Sequence, residues 1–160
     1  MIDLQQVGQG REGYDLLAAQ LESLLADERD FIANAAQFAA FLFHELEGLN
    51  WAGFYLNKYE ELVLGPFQGK VACVRIPFGR GVCGAAASSR QTQRVEDVHA
   101  FPGHIACDSA SNSELVVPLV KGGRLIGVLD LDSPRLARFG VEDQLGIERL
   151  AAIFLRLSEC

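Results

Sequence analysis

Apolar residues recur along the first third of the chain at the spacing of helix faces. Between Gly13 and Ala26, Leu17, Leu21, Leu24 and Leu25 stand at i, i+4, i+7 and i+8, one stripe with a polar side opposite. A second helix is predicted after Asp30, on Phe31, Ala35, Phe38 and Leu42, with Gly48 as its stop. The pattern then turns aromatic and extended over Asn50 to Leu56. After the polar stretch Asn57-Lys58-Tyr59-Glu60-Glu61, Leu62-Val63-Leu64 predicts a second, antiparallel strand closed by Pro66. From Gly69 to Asn112 periodicity fades, apart from a small-residue helix at Val82 to Ser89 behind the turn Gly79-Arg80-Gly81. A hairpin follows, Leu115 to Val120 and Leu125 to Leu131 around Gly122-Gly123, and then a helix on Leu145, Leu150, Ile153 and Leu157. The expected fold class is α+β: an antiparallel sheet, N- and C-terminal helices packed on one face, and a loop-rich crossover covering the other.

Composition narrows the class of protein. The 160 residues are 49% hydrophobic and 22% charged, ordinary globular usage, with no repeat, linker or low-complexity segment, so one domain over 1–160 is expected. Folding at this length buries roughly 70% of the unfolded surface, and stability needs neither disulfides nor a structural metal. Fourteen basic against twenty-one acidic residues give a net charge of -7 and a pI near 4.9, the wrong sign for a nucleic-acid partner. No apolar run approaches the roughly 18 residues of a membrane span. The start, MIDLQQVGQG, has neither the basic nor the apolar region of a leader, so a cytoplasmic protein without a membrane partner is expected. The stripes of the N-terminal helices would serve a homodimer as well as they would cover the sheet.

Three groups of residues carry candidate chemistry. Cys73, Cys83, Cys107 and Cys160 lie too far apart for the paired ligands of structural zinc, and neither a metal nor a cofactor is expected. Cys83, in Gly-Val-Cys-Gly-Ala-Ala-Ala, reads as a small buried hydrophobe in tight helix packing. Cys107 lies in the polar stretch Gly103 to Glu114, where either a buried or a reactive thiol fits. Asp130 and Asp132 stand two apart on an apolar strand, so both carboxylates share a face about 7 Å apart. They mark a solvated strand end or a site, and two like charges among poor strand formers favour the site. Register decides whether Glu114 joins them. A regular two-residue turn pairs it with Leu131 and points it away, whereas a three-residue loop or one bulge brings it to the aspartate face. Trp51, Gly53 and Tyr55 share a face of the first strand, either as core or as the wall of a small apolar or sulfur-bearing ligand.

Longer blocks then resemble a known family. Asn50-Trp51-Ala52-Gly53-Phe54-Tyr55, Leu64-Gly65-Pro66-Phe67-Gln68-Gly69, Ala72-Cys73, Gly79-Arg80-Gly81-Val82-Cys83-Gly84, His104-Ile105-Ala106-Cys107-Asp108, Ser111-Asn112-Ser113-Glu114 and Gly127-Val128-Leu129-Asp130-Leu131-Asp132-Ser133 are similar to the free methionine-R-sulfoxide reductases, which have a single-domain GAF fold. The resemblance runs from about residue 12 to about residue 155. It implies that Cys107 is the catalytic cysteine and that Cys73 resolves it into a disulfide, with Cys83 a secondary thiol. It also implies that Glu114, Asp130 and Asp132 are the acidic residues of the substrate pocket and that Trp51 and Tyr55 are its aromatic wall. The implied substrate is free methionine-R-sulfoxide. Its oxygen needs an acid, for which Glu114 and Asp132 are candidates, and its sulfur needs a thiolate. Cys107 would become a sulfenic acid, Cys73 would condense with it, and a thioredoxin-like dithiol would reduce the disulfide. Cys160 belongs to none of these blocks. The rival readings are a GAF sensory module that binds a small effector without chemistry, for which the chain has no output domain, and a metal- or thiol-based redox sensor.

Overall fold

The computed structural model describes residues 10–105 and 107–160. The opening segment, read above for a leader, and Ala106 of the Cys107 block lie outside the described residues. Both N-terminal helices form where the stripes predict them, α1 over Arg11–Leu25 and α2 over Phe31–Glu45. Asp30 caps α2 through a 2.9 Å bond from the Ala33 N–H to its Oδ2, and Gly48 takes a left-handed φ of +78° in the turn beyond its end. The buried face of α1 is centred on Tyr14, Ala18, Leu21 and Leu25, so Leu24 falls at its edge and is 42% exposed. This corrects the predicted stripe at one position.

The described residues form six strands after them: β1 (Trp51–Lys58), β2 (Glu61–Gly69), β3 (Arg75–Pro77), β4 (Gln93–Val95), β5 (Ser113–Lys121) and β6 (Arg124–Ser133). They form one antiparallel sheet in the order β3-β2-β1-β6-β5-β4. The three-residue strands β3 and β4 lie in the segment where periodicity fades, too short to show an alternation. Among the described residues, helices α3 (Gly81–Ser89) and α4 (Val141–Leu157) complete the regular structure with a 3₁₀ turn at Val98–Ala100. One face of the sheet buries Ala52, Phe54, Leu129 and Leu131 beneath α1, α2 and α4, and the rings of Phe38, Phe54 and Phe154 meet at centroid distances of 5.2–6.0 Å. On α4, Leu150 and Ile153 are buried as expected, but Leu145 is 57% exposed and Phe154 fills the core instead. The other face carries Trp51, Tyr55, Leu62, Val116 and Val128 under α3 and the crossover.

Two irregularities of pairing set up that second face. Between β1 and β2 the register slips: Gly53 pairs with Phe67 and Tyr55 with Leu64, so Gly65 and Pro66 share the place opposite Phe54. Pro66, which has no N–H to donate, therefore sits in a bulge and does not close the strand, contrary to the sequence reading. The close approach there requires a glycine, since a Cβ on Gly53 would collide with the Phe67 Cβ and stand 2.8 Å from its Cα. Gly53→Ala is accordingly expected to destabilise the fold by about 1–3 kcal/mol, read as a lowered denaturant midpoint.

The second irregularity lies in the β5–β6 hairpin. Its turn is the two-residue one, with Gly122 and Gly123 both at positive φ between Lys121 and Arg124. Val120 pairs with Leu125 but Leu119 pairs with Gly127, leaving Ile126 as an extra residue. This one-residue bulge shifts every later pair, and Glu114 comes to lie opposite Asp132 instead of Leu131.

Candidate active site

Register builds the floor of the site. Glu114, Asp132 and Trp51 form one row across β5, β6 and β1, and Val116, Asp130 and Gly53 form the next. The cavity above these rows is lined by all three carboxyl groups, by Trp51 and Tyr55, by Cys83 from α3, and by His104, Ile105, Cys107, Asp108 and Ser111 from the crossover. Its volume is about 50 Å³. The sequence-predicted site residues thus meet at one place, with Cys73 just behind the rim, where its carbonyl accepts a 2.9 Å bond from the Tyr55 hydroxyl.

The aromatic wall has a backing ring that the sequence reading did not include. Trp51 stacks on Tyr55 at 5.8 Å and on Phe67 at 5.2 Å, and its Nε1–H donates to the Lys70 carbonyl at 3.1 Å. Phe67 went unread because a strand closed at Pro66 would have excluded it. Asn50 was likewise unread as a functional residue. Its Nδ2 donates to Asp108 Oδ2 and to Ser111 Oγ, both at 3.1 Å, and so fastens the loop that carries Cys107 to the start of β1.

Cys73 and Cys107, 34 positions apart in sequence, are joined in a disulfide with Cα atoms 5.4 Å apart. Cys83 is a free, buried thiol, and Cys160 is free and exposed. The Cys83 sulfur lies 3.9 Å from Glu114 Oε2. Burial, reinforced by Asp130 and Glu114, pushes the Cys83 thiol well up, so it stays protonated at neutral pH and makes a poor nucleophile.

The same burial dominates the carboxyl groups. Glu114 and Asp132 are raised well above the ordinary carboxylate range, first by desolvation and then by the neighbouring Asp130 charge. Desolvation raises Asp130 too. Three carboxyl groups in one desolvated floor cannot all ionise, so the site holds at least one acidic proton near neutral pH. Cys83, Glu114 and Asp130 also bring three ligand-type atoms within 4.8 Å of one another. The Tyr55 hydroxyl is raised by burial and by Asp130, which keeps it protonated and donating to the Cys73 carbonyl.

A disulfide-forming cysteine over an acidic floor and an aromatic wall, on this curled sheet, defines a redox site on a GAF fold, and the GAF domain family matches residues 16–154. The chain is 55% identical over 141 residues to the free methionine-R-sulfoxide reductase of Escherichia coli, covering 88% of this chain and 86% of that one. With the enzyme of the same name from Saccharomyces cerevisiae it shares 42% over 145 residues, covering 86% and 81%. The X-ray structure of the Neisseria meningitidis free methionine-R-sulfoxide reductase in complex with its substrate superposes with a TM-score of 0.88 at 51% identity, covering 92% of this chain and 89% of that one. The chain belongs to the free methionine-R-sulfoxide reductases, a family of GAF-fold oxidoreductases. No helix among the described residues is long and apolar enough to cross a membrane.

Proposed function

We propose that this protein reduces free L-methionine-R-sulfoxide to methionine, with Cys107 as the attacking thiol, Cys73 as the resolving thiol and Glu114 or Asp132 as the acid. The observation that carries the reading is the disulfide partner Cys107 lining a cavity floored by the buried carboxyl groups of Glu114 and Asp130 and the partly buried one of Asp132. A sulfoxide sulfur becomes electrophilic when its oxygen is protonated, and a proton held on the floor supplies this. The Cys107 sulfur then accepts the oxygen: thiol and sulfoxide become sulfenic acid and thioether, and methionine leaves with the two electrons. The Cys73 thiol attacks the sulfenic sulfur, water leaves, and the disulfide forms. A thioredoxin-like dithiol restores both thiols by exchange and is itself oxidised. Trp51 and Tyr55 hold the methyl-sulfur end through aromatic contacts, with Phe67 stacked on Trp51 outside the cavity lining. The reading extends to one GAF-like domain acting in the cytoplasm. Incubation with methionine sulfoxide and a dithiol tests it: methionine should accumulate, and saturable binding without methionine would make the protein a sensory module.

Replacing Glu114 separates its chemistry from its cost to the fold. Glu114→Gln should lower kcat by about 10²–10³-fold, as expected for loss of an acid or of the proton it shares. Because burial raises the folded-state value of Glu114 above its unfolded one, stability is full below about pH 4 and falls as pH rises through the window above that. Glutamine removes this penalty. The variant should therefore melt at least about 2–4 °C higher than the parent near pH 7, with the difference vanishing at about pH 4.

A further inference from the structure

Cys83, Glu114 and Asp130 form a constellation that the sulfoxide reaction does not use as a unit. Their sulfur and carboxylate oxygen atoms lie within 4.8 Å of one another, and the residues are 5%, 8% and 4% exposed. They come from three elements, α3, β5 and β6, so their convergence is a product of the tertiary fold. Asp130 Oδ1 is fully buried and accepts no hydrogen bond from a backbone N–H, amide or hydroxyl among the described residues; the groups around the Asp130 carboxyl are Cys83, Glu114 and Asp132. A buried acceptor is ordinarily satisfied by a fixed donor, and one whose neighbours are a thiol and carboxyl groups, all able to give up their protons, is suited to a cation. The adjoining cavity of about 50 Å³ exceeds the roughly 10–15 Å³ that one water needs, and so admits an ion with water on its open side.

We propose that Cys83, Glu114 and Asp130 bind a borderline-soft divalent cation, Zn²⁺ in the cell, and that the bound ion excludes substrate from the pocket. One sulfur and two carboxylate oxygens with a solvent position suit zinc, whose bonds to these atoms run about 2.0–2.3 Å. Calcium and magnesium require more oxygen ligands and do not favour sulfur. On binding, the thiol and the protonated carboxyl groups release their protons to solvent, and the ion balances the charge that remains. The Cys73–Cys107 couple contributes no ligand, so metal binding is independent of the reductase reading; only the inhibition rests on that reading.

The disulfide form of the protein provides the cleanest test, since Cys83 and Cys160 are its free thiols. Cd²⁺ serves as the spectroscopic probe through its thiolate-to-metal absorption, and Zn²⁺ is measured by competition against a chromophoric chelator. One equivalent of Cd²⁺ per chain should give the absorption band, which Cys160→Ser keeps and Cys83→Ser abolishes. Glu114→Gln and Asp130→Asn should each weaken Zn²⁺ binding about tenfold or more while retaining the parent circular dichroism. These two variants decide the matter if Cys83→Ser fails to fold. Absence of binding, or a band that survives Cys83→Ser and disappears with Cys160→Ser, overturns the site. In turnover driven by a thioredoxin system, Zn²⁺ should raise KM for the sulfoxide and leave kcat unchanged. Metal binding with unaltered KM in an active enzyme overturns the inhibition. Metal binding to a protein that never turns over leaves the site standing and removes the reductase reading.

Discussion

Cys107→Ser should release no methionine above background, whereas Cys73→Ser should release about one methionine per chain and then stall when thioredoxin is the reductant. The asymmetry follows from where the two sulfurs sit. Cys107 lines the cavity over the carboxyl groups, while on the Cys73 side it is Val71 and Ala72 that reach it. Only the first is positioned to meet a sulfoxide sulfur whose oxygen rests on the acidic floor. Without Cys73 the sulfenic acid still forms, but a dithiol protein that works by attack on a disulfide finds none to attack. A small dithiol such as dithiothreitol reaches the sulfenic acid directly and should restore slow turnover to Cys73→Ser. Cys83→Ser should retain the first turnover, because a buried thiol held protonated is not a competing nucleophile. Rapid-quench measurement of methionine on a Cys160→Ser background, which removes the exposed thiol from the count, distinguishes these cases. A full single turnover by Cys107→Ser would overturn the assignment of the two roles.

Much of this site was legible in the sequence because its parts are local. The shared face of Asp130 and Asp132 needs only the alternation of a strand, and the shared face of Trp51 and Tyr55 needs the same. Glu114 needed one thing more, the number of residues between it and Asp132 that fail to pair. Nothing in Leu119, Val120 or Ile126 announces a bulge, because all three are ordinary strand formers and the irregularity serves sheet curvature. The same holds for Pro66. A proline ends a strand unless the partner strand leaves a place where no N–H is wanted, and the partner is a tertiary fact. Losing that strand end also hid Phe67. Asn50 shows the limit from another side, for an asparagine before a strand reads as a turn residue, and its bonds to Asp108 and Ser111 span 58 and 61 positions. The helix misreadings at Leu24 and Leu145 are smaller in kind: the period was right, and the centre of the buried face is set by what packs on it.

Free methionine-R-sulfoxide should be a far better substrate than the same residue blocked as its N-acetyl amide, with kcat/KM higher by about 10²-fold or more. Three carboxyl groups exceed what one proton donation requires. A zwitterionic substrate brings an ammonium that can hold two of them by charge-assisted hydrogen bonds, so binding it would let one carboxyl ionise while another keeps the proton meant for the sulfoxide oxygen. The acetylated nitrogen is a neutral amide and leaves the floor with its desolvation cost uncompensated, a loss of several kcal/mol for a buried charge that lacks its partner. Space acts in the same direction. The cavity is only about 50 Å³ and is roofed by the Cys107 loop, which Asn50 holds through Asp108 and Ser111, so further chain on either side of the residue would have to displace that roof. The two contributions separate experimentally, since the unblocked amine of methionine sulfoxide amide keeps the ammonium while removing the carboxylate. That compound should fall between the free and the doubly blocked forms, and the S epimer of the free amino acid, which points its oxygen away from the acid when its methyl group meets the aromatic wall, should be turned over poorly. Comparable efficiency on the doubly blocked R sulfoxide would show that the acidic floor does not read the ammonium, and the assignment of Glu114, Asp130 and Asp132 to substrate recognition would then be wrong.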